Sequence, residues 1–152
     1  MRLLLVAAAL AVAAPQVCAA DKDEDKAKEV SLAFLKAVKA KDLDAVMKTV
    51  DTPFLMESQG PIAKPDELKD AMKTFLEKVN PDKVPSEVGT VLDLPALRKK
   101  IKEKADEKEV EKIEKILGKT GYVVMLKVDG KERGGLLVQV KDGQAKVVGI
   151  PK

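Results

Sequence analysis

The run from Glu29 to Glu57, EVSLAFLKAVKAKDLDAVMKTVDTPFLME, constrains this chain more than any other stretch. It predicts a helix, a polar joint at Lys41-Asp42, a short second helix and an apolar strand. The first helix is expected over about Asp25 to Ala40, where Ala27, Val30, Ala33, Phe34, Ala37 and Val38 recur at helical spacing as one stripe. Lys26, Lys28, Lys36 and Lys39 fall outside that stripe. Asp42 is placed to cap the next helix, its carboxylate accepting from free backbone N–H groups. Leu43, Val46, Met47 and Val50 then follow at i, i+3, i+4 and i+7. A helix this short does not stand alone, so it must dock through those four side chains. Pro53 forces Thr52 into an extended conformation, which ends the helix and opens a strand at Phe54-Leu55-Met56. Asp51 then falls at the end of the second helix, as a surface residue.

Downstream, Gln59-Gly60-Pro61 is a turn, and Pro65, Asp66 and Glu67 start a helix: proline suits the first turn, and the acids face the positive end of the dipole. Leu68, Ala71, Met72, Phe75, Leu76 and Val79 give the clearest amphipathic pattern, stopped by Asn80-Pro81. A valine- and threonine-rich strand is centred on Glu87 to Leu92. Pro95 to Leu117 is rich in lysine and glutamate. Leu97, Ile101 and Ala105 form one stripe; Val110, Ile113 and Leu117 form another, out of phase with it. With Asp106 and Glu109 fitting a capping box, this reads as two short helices joined near Asp106 and closed by Gly118. One long charged helix is the alternative.

Three β-branched runs follow: Tyr122–Val128, Leu136–Val140 and Ala145–Ile150. Asp142-Gly143 signals a tight turn between the last two, and Asp129-Gly130 the start of a longer connection between the first two. Tyr122, Val124, Leu126 and Val128 share one face with Leu136, Val138 and Val140. The opposite face carries Val123, Met125, Leu137, Gln139 and Lys141, which is more apolar than a face that simply meets water. Helices first and a curling antiparallel sheet last make an α+β fold.

Residues 1–20 have the layout of a cleavable secretory signal: Arg2, the twelve-residue apolar run Leu3–Ala14, a break at Pro15-Gln16, and small Ala19-Ala20 before Asp21. Twelve residues are too few for a membrane anchor, since a bilayer core takes about 20. A lipid anchor at Cys18 would need a different approach sequence from Pro15-Gln16-Val17. Cleavage near Ala20 leaves 132 of the 152 residues, removes the one cysteine, and lowers the net charge from +3 to +2. The expected product is exported, to the periplasm or outside a bacterial cell, with no membrane attachment after cleavage. Residues 21–28 form a charged leader, and 29–152 a single domain with a helical insertion at about 95–118.

Composition narrows the chemistry. With no histidine in the chain and no cysteine after cleavage, the common kinds of zinc site and the usual general base near neutral pH are missing. The D-x-D-x-D of Asp21, Asp23 and Asp25 starts like a calcium loop. However, Lys26 stands in place of the turn glycine and Leu32 in place of the closing glutamate, so a frayed tail running into a helix is the better reading and no metal or cofactor is expected. Both charge signs are interleaved and only four aromatic residues exist, which is no footprint for nucleic acid.

Ala33–Phe54 (AFLKAVKAKDLDAVMKTVDTPF), Pro61–Lys78 (PIAKPDELKDAMKTFLEK) and the C-terminal hairpins together resemble the nuclear transport factor 2-like superfamily, which includes ketosteroid isomerase and polyketide-cyclase-like proteins. The resemblance covers roughly Val30 to Ile150. It implies a cone, of the kind also called cystatin-like, in which N-terminal helices pack on a strongly bent antiparallel sheet. Pro95–Gly118 resembles an insertion in that plan. A small apolar ligand would occupy the cone, lined by Phe34, Val38, Leu55, Met72, Tyr122 and Val124, although these residues equally well fill a core. The outer sheet face, with Val123, Met125 and Leu137, would serve a homodimer or another protein partner. Catalysis of the ketosteroid-isomerase kind would need Asp51 as base. Here Asp51-Thr52-Pro53 stands where the isomerase has Asp followed directly by Pro, the helix-one tyrosine is replaced by Phe34 as the nearest aromatic, and Tyr122 is the only phenol. The leading expectation is therefore a non-catalytic binding module.

Overall fold

The structure is a computed structural model that describes residues 19–56, 59–101 and 107–151. The signal-like segment up to Cys18, the joint at Asp106 and its capping box lie outside the described residues.

Helix α1 spans Ala19–Ala40 and α2 spans Leu43–Thr49. The charged leader is therefore helical from the start, and Asp21, Asp23 and Asp25 sit on a helix rather than in a loop. The reason is packing: Ala27 is fully buried, so the α1 contact with the sheet extends back into the leader. The buried arc of α1 is Ala27, Ser31, Phe34, Leu35, Ala37 and Val38, with Leu35 taking the place expected for Ala33. Between the helices Lys41 has φ 55, and Asp42 caps α2 as expected, its Oδ1 accepting from the Ala45 N–H at 3.0 Å.

Strand β1 spans Val50–Met56 and β2 Gly60–Ile62, followed by α3 over Pro65–Lys78. β1 begins three residues before Pro53, so Asp51 is a strand residue and not a helix end. A 3-10 turn at Pro81–Lys83 leads to β3, Glu87–Asp93. Then come α4, Leu94–Ile101, and α5, Glu107–Leu117; they pack against each other and pair Arg98 with Glu114, so they are two helices and not one long one. A second 3-10 turn, Gly118–Thr120, precedes β4 (Gly121–Val128), β5 (Lys131–Lys141) and β6 (Gln144–Ile150). Both hairpins turn on two residues: Asp129-Gly130 (φ 52 and 73) and Asp142-Gly143 (φ 51 and 76). Positive φ at both central positions matches the twist of the flanking strands, so the longer connection expected at Asp129-Gly130 is not needed.

The six strands form one sheet in the order β2-β1-β6-β5-β4-β3. Four pairings are antiparallel, and β1 runs parallel to β6, so the sheet is mixed rather than wholly antiparallel. Register shifts interrupt β3 between Val88 and Val91, β4 between Met125 and Lys127, and the β5–β6 pairing opposite Leu137 and Val138. Such bulges bend the strands. One face of the sheet carries α1, which lies across β3 to β6, with α2 and α3 beside it over β1 and β2; the other carries α4 and α5. No described helix is long and apolar enough to cross a membrane.

Candidate functional site

Strand alternation separates two apolar clusters, one on each side of the sheet. The inner cluster joins Phe34 and Val38 of α1, Val46 of α2, Leu68, Met72 and Leu76 of α3, and Phe54, Val124, Leu136, Val138 and Val147 of the sheet. Four residues expected to line a ligand pocket meet there: Phe34, Val38, Met72 and Val124, none more than 2% exposed. Tyr122, half-buried, packs on the margin of the same cluster. Burial raises its phenol above the usual tyrosine value, and the negative charges of Asp23, Glu24 and Asp93 add to the rise, so the group stays protonated.

The sixth expected residue, Leu55, lies on the other side. Phe54 and Met56 turn inward, and Leu55, between them, packs with the outer cluster. Gly149 makes this possible. It sits opposite both Leu55 and Leu137, and an added Cβ would come to 2.9 Å of Leu137 Cδ1 and of Leu55 Cβ.

The outer cluster is Leu92, Leu97, Leu117, Val123, Leu137 and Val148, with Leu94, Ala96, Ile113, Ile116 and Met125 packed against it. Val123, Met125 and Leu137, expected to meet a second molecule, therefore lie against α4 and α5 of their own chain, and Leu137 is fully buried. The apolar excess on this face thus has an intramolecular cause. Three polar contacts hold the cover in place. Asp93 Oδ1 accepts from the Ala96 N–H at the start of α4 (2.8 Å). The Arg98 guanidinium of α4 pairs through Nε and Nη2 with Glu114 of α5, and this hydrogen bonding keeps the Glu114 carboxyl below its usual range. Lys100 Nζ reaches Glu132 Oε2 on β5 at 3.3 Å.

Asp51 is exposed, and its Oδ1 accepts from the neighbouring Thr52 N–H at 2.8 Å. Ser31 is the one buried polar residue among those described, and its hydroxyl donates to the Ala27 carbonyl at 2.7 Å. Among the described residues no group of three or more acidic, histidine or cysteine side chains is placed to hold a metal.

One concavity had no signal in the sequence. An open cavity of about 450 Å³ lies between the start of α4 and the end of α5, lined by Leu94, Pro95, Arg98, Glu114, Gly118 and Lys119. Arg98 and Glu114 are sixteen positions apart on separate helices, a spacing that no periodicity within one helix links.

No protein-family model matches the sequence, and no curated protein matches it either. Several solved structures do resemble it. An NTF-2 like protein of unknown function from Shewanella oneidensis is 16% identical, with a TM-score of 0.45 over 84% of this chain and 96% of that one. A protein of unknown function with a cystatin-like fold from Nostoc punctiforme is 11% identical, with a TM-score of 0.44 over 88% and 90% of the two chains. An NTF2-like protein of unknown function from Cytophaga hutchinsonii is 9% identical, with a TM-score of 0.40 over 82% and 86%.

Proposed function

We propose that this protein is an exported, non-catalytic binding module that receives a small apolar ligand against the inner face of its sheet. The observation that carries the proposal is the chemistry of that face. All three phenylalanines of the chain, Phe34, Phe54 and Phe75, meet three of its methionines, Met47, Met56 and Met72, in one cluster. Methionine is unbranched and polarisable, so such a surface re-packs around a guest at low cost. Tyr122 at the margin supplies a phenol that stays a hydrogen-bond donor. A ligand of mostly hydrocarbon character with one acceptor suits this combination.

Catalysis has less support. Proton transfer needs a titratable group within reach of a bound substrate. The candidate base, Asp51, is exposed and already accepts from Thr52, while buried Ser31 is committed to Ala27. Dimerisation through Val123, Met125 and Leu137 would first require α4 and α5 to leave that face. Export rests on the sequence pattern of Arg2, Leu3–Ala14 and Ala19-Ala20.

The test is a thermal-shift screen of sterols, fatty acids and aromatic metabolites, followed by NMR of methionine methyl groups. One class is expected to raise Tm and to move the Met47, Met56 and Met72 signals together. Unchanged Tm and unmoved methyls across all three classes would refute the proposal.

A further inference from the structure

The α4–α5 cavity has an apolar floor and a charged rim. Leu94 and Pro95 supply hydrocarbon, while Arg98, Lys119 and Glu114 supply two cations and one carboxylate. At about 450 Å³ it falls in the range of small-molecule sites. Glu114 engages only the Nε and Nη2 side of the guanidinium. A guanidinium has five N–H donors, so the Nη1 edge still has donors to offer. The same pair fixes the position of Arg98, which lowers the entropy lost when a second anion binds it. Lys119 makes no ion pair among the described residues. The rim therefore has room for one further negative charge.

We propose that this cavity is a second binding site, for a monocarboxylate with an apolar tail, the carboxylate lying between Arg98 and Lys119 and the tail on Leu94 and Pro95. Charge decides the class. A single carboxylate balances the unmatched cation. A dianion would bring surplus negative charge towards Glu114 and towards the carbonyl end of α5, which is itself partly negative. An uncharged amphiphile would leave the Nη1 edge and Lys119 unused. The site is separate from the inner face and stands or falls independently of it, because the whole sheet lies between them.

The experiment titrates decanoate and decanol, below micelle formation, into the full chain labelled on leucine and methionine methyl groups. Decanoate is expected to move the Leu94 methyls saturably, with decanol about tenfold weaker. Lys119→Ala is expected to weaken decanoate about threefold to tenfold, as loss of one charge-assisted contact does. Lys119 is exposed in the turn after α5, so that variant keeps the fold. Unmoved Leu94 methyls, equal binding of decanol and decanoate, or a Lys119→Ala protein that binds decanoate as the parent does would each overturn the proposal. Movement confined to Met56 and Met72 would also overturn it, while supporting the inner-face site.

Discussion

Glu132 on β5 and Thr90 on β3 are hydrogen-bonded although β4 runs between their strands: Glu132 Oε1 accepts the Thr90 N–H at 2.7 Å. The contact depends on the β3 bulge, where Gly89 and Thr90 stand between the paired Val88 and Val91. An added Cβ at Gly89 would come to 2.5 Å of the same carboxylate oxygen. The bulge thus offers both an unpaired donor and the space through which the carboxylate reaches it, and Lys100 then ties the end of α4 to the same group.

Glu132 should make stability depend on acid. Hydrogen bonds from Thr90 hold its carboxyl at about 2; burial opposes them, and Lys100 adds a further lowering. The folded chain therefore binds fewer protons than the unfolded chain between the ordinary glutamate value and about 2, and stability rises with pH across that window. The contribution is complete above the ordinary value and is lost as pH falls through about 2. Urea unfolding of Glu132→Gln should show about 1 kcal/mol less stability at neutral pH and a shallower acid dependence than the parent. Equal acid slopes in the two proteins would dismiss this role.

Gly149→Ala should destabilise by about 1–3 kcal/mol, as overpacking of a filled core does. The new methyl would meet Leu55 on β1 and Leu137 on β5 together, and the Leu55 backbone carbonyl at 3.0 Å leaves it little room to move aside. A thermal midpoint within error of the parent would show that the outer cluster gives way there.

Leu137→Ala tests whether α4 and α5 cover the sheet in solution. With Leu137 fully buried beneath them, truncation should cost about 2–5 kcal/mol. Both Tm and its drop should be independent of protein concentration. A Tm that rises with concentration would mean instead that a second molecule covers this face.

Tyr122 should ionise late. Burial raises its value first, and Asp23, Glu24 and Asp93 raise it further, so absorbance titration of this only tyrosine should give a midpoint above 10 in the folded chain. Because the folded state holds the proton more tightly, its contribution to stability fades as pH rises past the unfolded value of about 10. A folded midpoint at or below 10 would place the phenol in open water.

Local patterns were legible in the sequence. The α3 stripe, the Asp42 cap and the Asp142-Gly143 turn each depend on neighbours within a few residues, and each stands where the sequence predicts. The alternation that sends Val124 inward and Val123 outward was equally legible, because a strand repeats every two residues. What covers the outward face was not. The apolar spacing of Leu97, Ile113 and Leu117 predicts amphipathic helices, but their docking site is a contact between distant segments. Leu55 failed for a related reason: three consecutive apolar residues, Phe54-Leu55-Met56, hide the alternation that places the middle one outward. The parallel pairing of β1 with β6 and the Arg98–Glu114 pair are long-range in the same sense, and nothing local announces either.

The position of β6 between β1 and β5 bears on how the molecule comes into being. β1 is finished at residue 56, and the strand beside which it must lie does not begin until residue 144. On the ribosome, the first hairpin and α1 to α3 therefore emerge with their oily sides bare and wait through most of translation for the segment that unites the two halves. The two halves of the sheet cannot be joined until that last strand is in place.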